Sequence, residues 1–188
     1  MTNNRFHFGI GVSPWYEDFL ATGERWEKRG KRMDEQIDIL KGLMGGDYFG
    51  FKGEFYDIPE LKLCPVPTKP VPILIGGHSN LALKRAARIG DGWISAGLSL
   101  EETETLINKI NSFREEFGTL NHPNYQIQVM GEAAYSPDGA KQLESLGATE
   151  VIVAFRNAYE GGPDNRTLDS MIAEINWYAE EVIGKVRS

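Results

Sequence analysis

At 188 residues, with 41% hydrophobic, 11% aromatic and 25% charged side chains, the chain has the make-up of one compact globular domain. A formal charge of −7 offers no basic stripe to neutralise phosphates and argues against a general nucleic-acid binder. There is no apolar run of about 20 residues to span a bilayer, no signal-peptide layout in MTNNRFHFGIG, and only one cysteine, Cys64, too few for an internal disulfide; these features point to the cytoplasm.

Short apolar runs alternate with helical patterns along the chain. The first run is Phe6–Val12 (FHFGIGV), followed after a loop by a helix over Arg32–Met44 with Met33, Ile37, Leu40 and Met44 on one face. Residues 45–72 break the rhythm: YFGFKGEFYDI reads as a small antiparallel hairpin turning at Lys52-Gly53, and the proline-rich PVPTKPVP returns from it. The second run, Val71–Ile75, closes in Gly76-Gly77, and its helix spans Asn80–Ile89 and stops at Gly90. The third run, Gly92–Ala96, comes two residues later. Ser99 and Glu102 form a capping box for a helix with Leu106, Ile110, Phe113 and Phe117 in one stripe. A fourth run, Tyr125–Met130, precedes Ser136-Pro137, a cap with proline in the first turn of a helix ending at Gly147. The fifth run, Val151–Phe155, is the most uniformly apolar, as buried parallel strands are. Thr167 caps a last helix carrying Leu168, Met171, Ile172, Ile175, Ala179, Val182 and Val186. The alternation predicts an α/β fold with a parallel sheet, which the pattern alone leaves open between a barrel and a doubly wound sheet.

Five segments, in order, resemble the luciferase-like family of flavin- and deazaflavin-dependent oxidoreductases. They are Gly9-Ile10-Gly11, Phe51-Lys52-Gly53-Glu54-Phe55-Tyr56, Pro65-Val66-Pro67, Gly76-Gly77-His78-Ser79, and Arg88-Ile89-Gly90-Asp91-Gly92-Trp93. The resemblance implies a (β/α)8 barrel whose fourth to eighth strands are the five runs, so that residues 1–188 form one incomplete barrel domain with 45–72 as an insertion. A full barrel of this type takes about 250 residues. Strands one to three have no counterpart here, and the stretch before the first run resembles the interior of family members, which leaves open a gene fragment whose start lies upstream of Met1. Five strands do not close on themselves, so the runs at Phe6 and Val151 are expected as open, association-prone edges.

The Gly76-Gly77-His78-Ser79 loop is the first candidate site. It lies at the carboxyl end of a strand and opens a helix, where barrel active sites are found and where free amides and the helix dipole suit a phosphate. The two glycines allow close backbone approach, and the Ser79 hydroxyl can donate to an oxygen. By itself the loop reads first as an ordinary strand-to-helix turn capped by Ser79 or Asn80; the resemblance assigns it to the phosphate of coenzyme F420 or FMN. The resemblance also places Gly11 and the strand end at Trp93 near the cofactor, and Trp15 and Tyr16 at the ring and substrate cavity, although an aromatic pair there also serves to cover the sheet end. His7 reads either as facing a barrel interior or as a core histidine. His78 is a candidate hydrogen-bond donor, and His122 is set in a polar loop. Asp91 reads as setting a tight turn, and Glu132 and Arg156 follow strands where barrels draw polar residues. Glu101, Glu102 and Glu104 read as a solvated helix start. The histidines are widely separated, which gives a metal site no support.

The resemblance implies hydride transfer to or from a small organic substrate, or oxygen chemistry in flavin members, with the protein orienting the reactants. It places the catalytic acid or base on the absent strands, so no residue here is assigned that role. Two functional readings follow: part of an oxidoreductase completed by a homodimer partner, another chain or a missing N-terminal segment, or a non-catalytic module, or gene fragment, that dimerises through its open edges.

Overall fold

The protein is described by a computed structural model that covers residues 3–156 and 161–187, so Met1 lies outside the described residues. Five strands form one parallel sheet in the order β1 (Phe8–Ile10), β4 (Ile73–Gly76), β5 (Gly92–Ile94), β6 (Gln126–Met130) and β7 (Glu150–Ile152). Two further strands, β2 (Phe49–Lys52) and β3 (Asp57–Leu61), make a separate antiparallel hairpin. The helices are α1 (Tyr16–Thr22), α2 (Arg29–Met44), α3 (Asn80–Ile89), α4 (Leu100–Glu116), α5 (Pro137–Ser145) and α6 (Leu168–Tyr178). The last continues through a π-helical stretch, Ala179–Ile183, to Gly184–Val186.

Register explains the two faces of the sheet. Gly9 pairs with Leu74, Leu74 with Gly92 and Gly92 with Gln126; one step on, Gly76, Ile94, Gln128 and Glu150 share a row. The alternate residues, Ile73, Ile75, Trp93, Ile127 and Val129, point the other way. They join Leu83 and Ala86 of α3, Ile107 and Ile110 of α4 and Leu143 of α5 in the core. Burying each large aliphatic side chain contributes about 1.5–3 kcal/mol, so this helix-covered face holds the layers together. His7, two residues before Gly9, falls by alternation on the Gly9 face and is half-buried. Gln128 donates to Glu150 at 2.7 Å on that same face, a polar pair beside Leu74 and Ile94.

Four elements depart from the sequence expectations. α1 occupies what reads as a loop: it has no buried residue and no side-chain cap, so no periodic stripe marks it. α2 starts at Arg29, ahead of Arg32, and buries Met33, Ile37 and Ile39 while Leu40 and Met44 stay half-buried. The fifth run pairs over three residues only, and Val151 is 36% exposed because, among the described residues, no further strand flanks β7. The hairpin turns over Gly53–Tyr56, later than Lys52-Gly53, with the Gly53 amide donating to the Tyr56 carbonyl at 2.8 Å. The capping box of α4 forms in full, with Ser99 and Glu102 each accepting from the other's backbone amide.

Candidate functional site

The carboxyl ends of β1, β4 and β5 bring most of the sequence-predicted residues together. Gly11 lies against Gly76, close enough that an added β-carbon would stand 3.6 Å from the Gly76 carbonyl oxygen. Gly77 has φ +118, a conformation that side-chain-bearing residues rarely adopt, and a β-carbon there would come within 3.0 Å of Ala82. This turn delivers the chain into α3. Ser79 is the N-cap: its Oγ accepts from the Ala82 amide at 3.3 Å. The Asn80 and Leu81 amides fall in the first turn, where no helical carbonyl precedes them to accept. Gly77, His78, Ser79 and Asn80 are all exposed.

Two contacts fix this loop to the neighbouring strand. Trp93 is fully buried, and its indole Nε1 donates to the Gly77 carbonyl at 2.9 Å. The His78 Nε2 accepts from the Ala96 amide at 3.3 Å, and the imidazole meets the Trp93 ring edge-on at 6.2 Å between centroids. Trp93 therefore reaches a bound ligand only through the backbone it holds. Glu102, near this end, is held below the usual carboxylate range, first by the Ser99 amide and then by the Ser99 hydroxyl, with a smaller contribution from His78.

Trp15 and Tyr16 sit on the same end of the sheet, about half exposed, at the start of α1. Ser13 organises their loop by donating to Asp18 at 2.5 Å and accepting from the Trp15 amide at 3.1 Å, while Tyr16 packs edge-on against Trp26. A cavity of about 310 Å3 opens behind this loop, lined by Gly11, Val12, Ser13, Phe19 and Met33 among others; Trp15 and Tyr16 are outside it.

Asp91 works at the opposite end of the sheet, where its carboxylate accepts from the Ile73 amide at 2.9 Å and its own amide donates to the Ile73 carbonyl at 2.8 Å. Glu132 is exposed on a single 3-10 turn, Glu132–Tyr135. Arg156 is tied into the loop after β7, donating to Gly162 at 2.9 Å and standing 3.7 Å from Asp164. No sequence motif points to Arg166, which joins that loop to α6 by bonds to Asp164, Glu174 and the Phe155 carbonyl. Its hydrogen bonds hold the Asp164 carboxyl far below the usual range. Tyr135 similarly bridges to both backbone groups of Ala154. Among the described residues no group of three or more His, Cys, Asp or Glu side chains is placed to hold a metal ion, and no helix is long and apolar enough to cross a membrane.

A family model described as luciferase-like monooxygenase matches residues 1–136. The chain belongs to the luciferase-like monooxygenase family. An uncharacterized protein of Mycobacterium tuberculosis strain H37Rv is 47% identical over 186 residues, 99% of this chain and 64% of that protein. The FMNH2-dependent dimethylsulfone monooxygenase of Pseudomonas fluorescens is 34% identical over 133 residues, 69% of this chain and 35% of the enzyme. Among solved structures, the coenzyme F420-dependent tetrahydromethanopterin reductase of Methanopyrus kandleri superposes with a TM-score of 0.68 at 13% identity, covering 95% of this chain and 73% of that one. That likeness shows the fold, a luciferase-like barrel architecture of which this chain holds five parallel strands and a hairpin. Family relatives are F420-dependent or FMNH2-dependent enzymes, in line with the expected cofactor chemistry. The chain spans less than two thirds of the length of the curated relatives it matches first.

Proposed function

We propose that this luciferase-like chain forms the part of a deazaflavin- or flavin-dependent oxidoreductase that seats the cofactor phosphate, on Gly76, Gly77, His78 and Ser79, for hydride transfer to or from a small organic substrate. The observation that carries the reading is the pinned Gly77: a positive φ and the Trp93 bond hold the loop open at the amino end of α3. The residues fit a phosphate. Gly77 is exposed, the first-turn amides and the Ser79 hydroxyl present donors, and the positive end of a ten-residue helix faces the same spot. When bound, a deazaflavin or flavin supplies a ring that accepts or gives a hydride. Gly11 leaves space beside the loop, and Trp15 and Tyr16 offer aromatic faces for ring or substrate. Trp93 acts as a positioning residue through the Gly77 carbonyl. The acid or base is assigned to no residue of this chain.

A homodimer, or a partner chain supplying further strands, completes the site in this reading. Support comes from the free edges of β1 and β7 and from α6, which leaves Leu168, Ile172 and Ile175 exposed. The same surfaces favour the second reading, a binding or assembly module without catalysis, and binding data separate the two.

Ser79→Asp tests the phosphate seat. Aspartate caps a helix as well as serine, so the thermal midpoint stays within a degree or two of the parent. Its charge repels a phosphate, and fluorescence titration with coenzyme F420 and with FMN is expected to show affinity at least about tenfold weaker. Unchanged affinity in a folded Ser79→Asp chain would remove the loop from the site. No binding of either cofactor by the folded parent would favour the assembly module.

A further inference from the structure

A second concave surface adjoins the Gly76–Ser79 loop. A groove of about 550 Å3 runs from the first turns of α2 along the length of α3, from Ser79 to Arg88, and reaches Phe117 at the end of α4. Six of the chain's 20 Lys and Arg residues line it: Lys28, Arg29, Lys31, Lys84, Arg85 and Arg88. Lys28 pairs with Glu54, Lys84 with Glu116 at 3.6 Å, and Asp34 serves both Arg85 at 2.5 Å and Arg88 at 3.7 Å. Three carboxylates thus answer six cations, an excess of positive charge in a chain whose formal charge is −7.

Two of the cations are paired least. Among the described residues neither Arg29 nor Lys31 makes an ion pair. The Arg29 guanidinium lies 3.5 Å over the Trp26 ring, and its Nε is buried with no hydrogen-bond partner. Buried donors are ordinarily paired. A solvated helix face spreads its charges over a convex surface and alternates their sign. Here cations from two different helices converge across a concavity, where like charges repel unless an anion lies between them. The amino ends of both helices open onto the same groove and add their dipoles. Ser79 and Val12 also line it, so it begins where the phosphate loop ends and runs towards the end of β1.

We propose that this groove binds an oligoanion, a ligand carrying several closely spaced phosphate or carboxylate groups. Two sources share that chemistry: an acidic extension of the cofactor held on the Gly76–Ser79 loop, or a separate anionic substrate. Only the first source rests on the reading given for the loop.

The test is isothermal titration of the whole chain with inorganic triphosphate and, in parallel, with orthophosphate. Triphosphate is expected to bind at least about tenfold more tightly than orthophosphate, because several charges engage the groove at once. A Lys31→Glu/Arg88→Glu chain, whose circular dichroism should match the parent because both positions are exposed, is expected to lose about tenfold or more in triphosphate affinity. Equal affinities for the two anions, or triphosphate affinity untouched by the double charge reversal, overturns the proposal. Displacement of triphosphate by coenzyme F420 but not by FMN, whose single phosphate the loop already seats, assigns the groove to an extension of the cofactor; displacement by both places triphosphate on the loop and overturns the proposal. Simultaneous binding, or triphosphate binding by a chain that takes up neither cofactor, assigns it to a separate anionic substrate; in the latter case the loop reading fails alone.

Discussion

At the scale of single residues, the two loop glycines are not equivalent. Gly76 has ordinary backbone angles, and an added β-carbon would meet Ile94 at 3.4 Å, an ordinary contact. Gly77 combines φ +118 with a 3.0 Å approach to Ala82. Gly77→Ala is therefore expected to lower stability by about 1–3 kcal/mol, and Gly76→Ala by less than about 1 kcal/mol. Urea unfolding of the pair checks this, and equal midpoints would show that the turn is not strained by a side chain. The doubled glycine before a helix was legible in the sequence because backbone requirements are written locally. The Trp93–Gly77 bond was not, since it joins residues 16 positions apart through a strand pairing that no local pattern encodes.

At the scale of elements, the hairpin shows how a helix holds an appendage. The Glu35 carboxylate of α2 accepts from the amides of Glu54, Phe55 and Tyr56 at 2.6, 2.9 and 3.1 Å, which gathers the turn onto the helix. Gly53 sits where a β-carbon would overlap that carboxylate. Glu35→Ala frees three turn amides, and a loss of about 1–3 kcal/mol is expected, with faster proteolytic cleavage between 53 and 56. An unchanged cleavage rate would mean that the turn stands without the clamp. Phe51-Lys52-Gly53 and the alternating residues around it announce the hairpin, whereas nothing in the sequence marks Glu35 as its anchor. The parallel order was legible from strands and helices alternating at short spacing. α1 was not: seven residues that bury nothing leave no periodic trace.

At the scale of the whole molecule, burial is uneven. The sheet centre is tightly packed: Ile73, Ile75 and Trp93 are fully buried. The margins are not, for Phe6 is 51% exposed ahead of β1, and Ile175 is 54% exposed on α6. Apolar margins beside unpaired strand edges favour association. Light scattering is expected to give a dimer or larger species at micromolar concentration, and dilution to nanomolar to unfold or precipitate the chain. Ile172→Lys/Ile175→Lys should shift that equilibrium towards monomer by about tenfold or more. A folded, soluble monomer at nanomolar concentration would contradict the need for a partner. The open edges themselves were legible by counting strands; the apolar stripe on α6 was legible too, but not which of its residues the fold would leave uncovered.

The bond that steadies the Gly76–Ser79 loop also gives the chain an optical sense of its own state. Of the tryptophans, Trp15 and Trp177 are about half exposed and Trp26 is half-buried, while Trp93 is sealed from water with its indole N–H on the Gly77 carbonyl. Acrylamide or iodide reaches the surface indoles first, so the emission that survives quenching comes chiefly from the ring touching the loop. Whatever settles on Gly77 alters the field at that hydrogen bond, and the colour of the residual light reports it without a label.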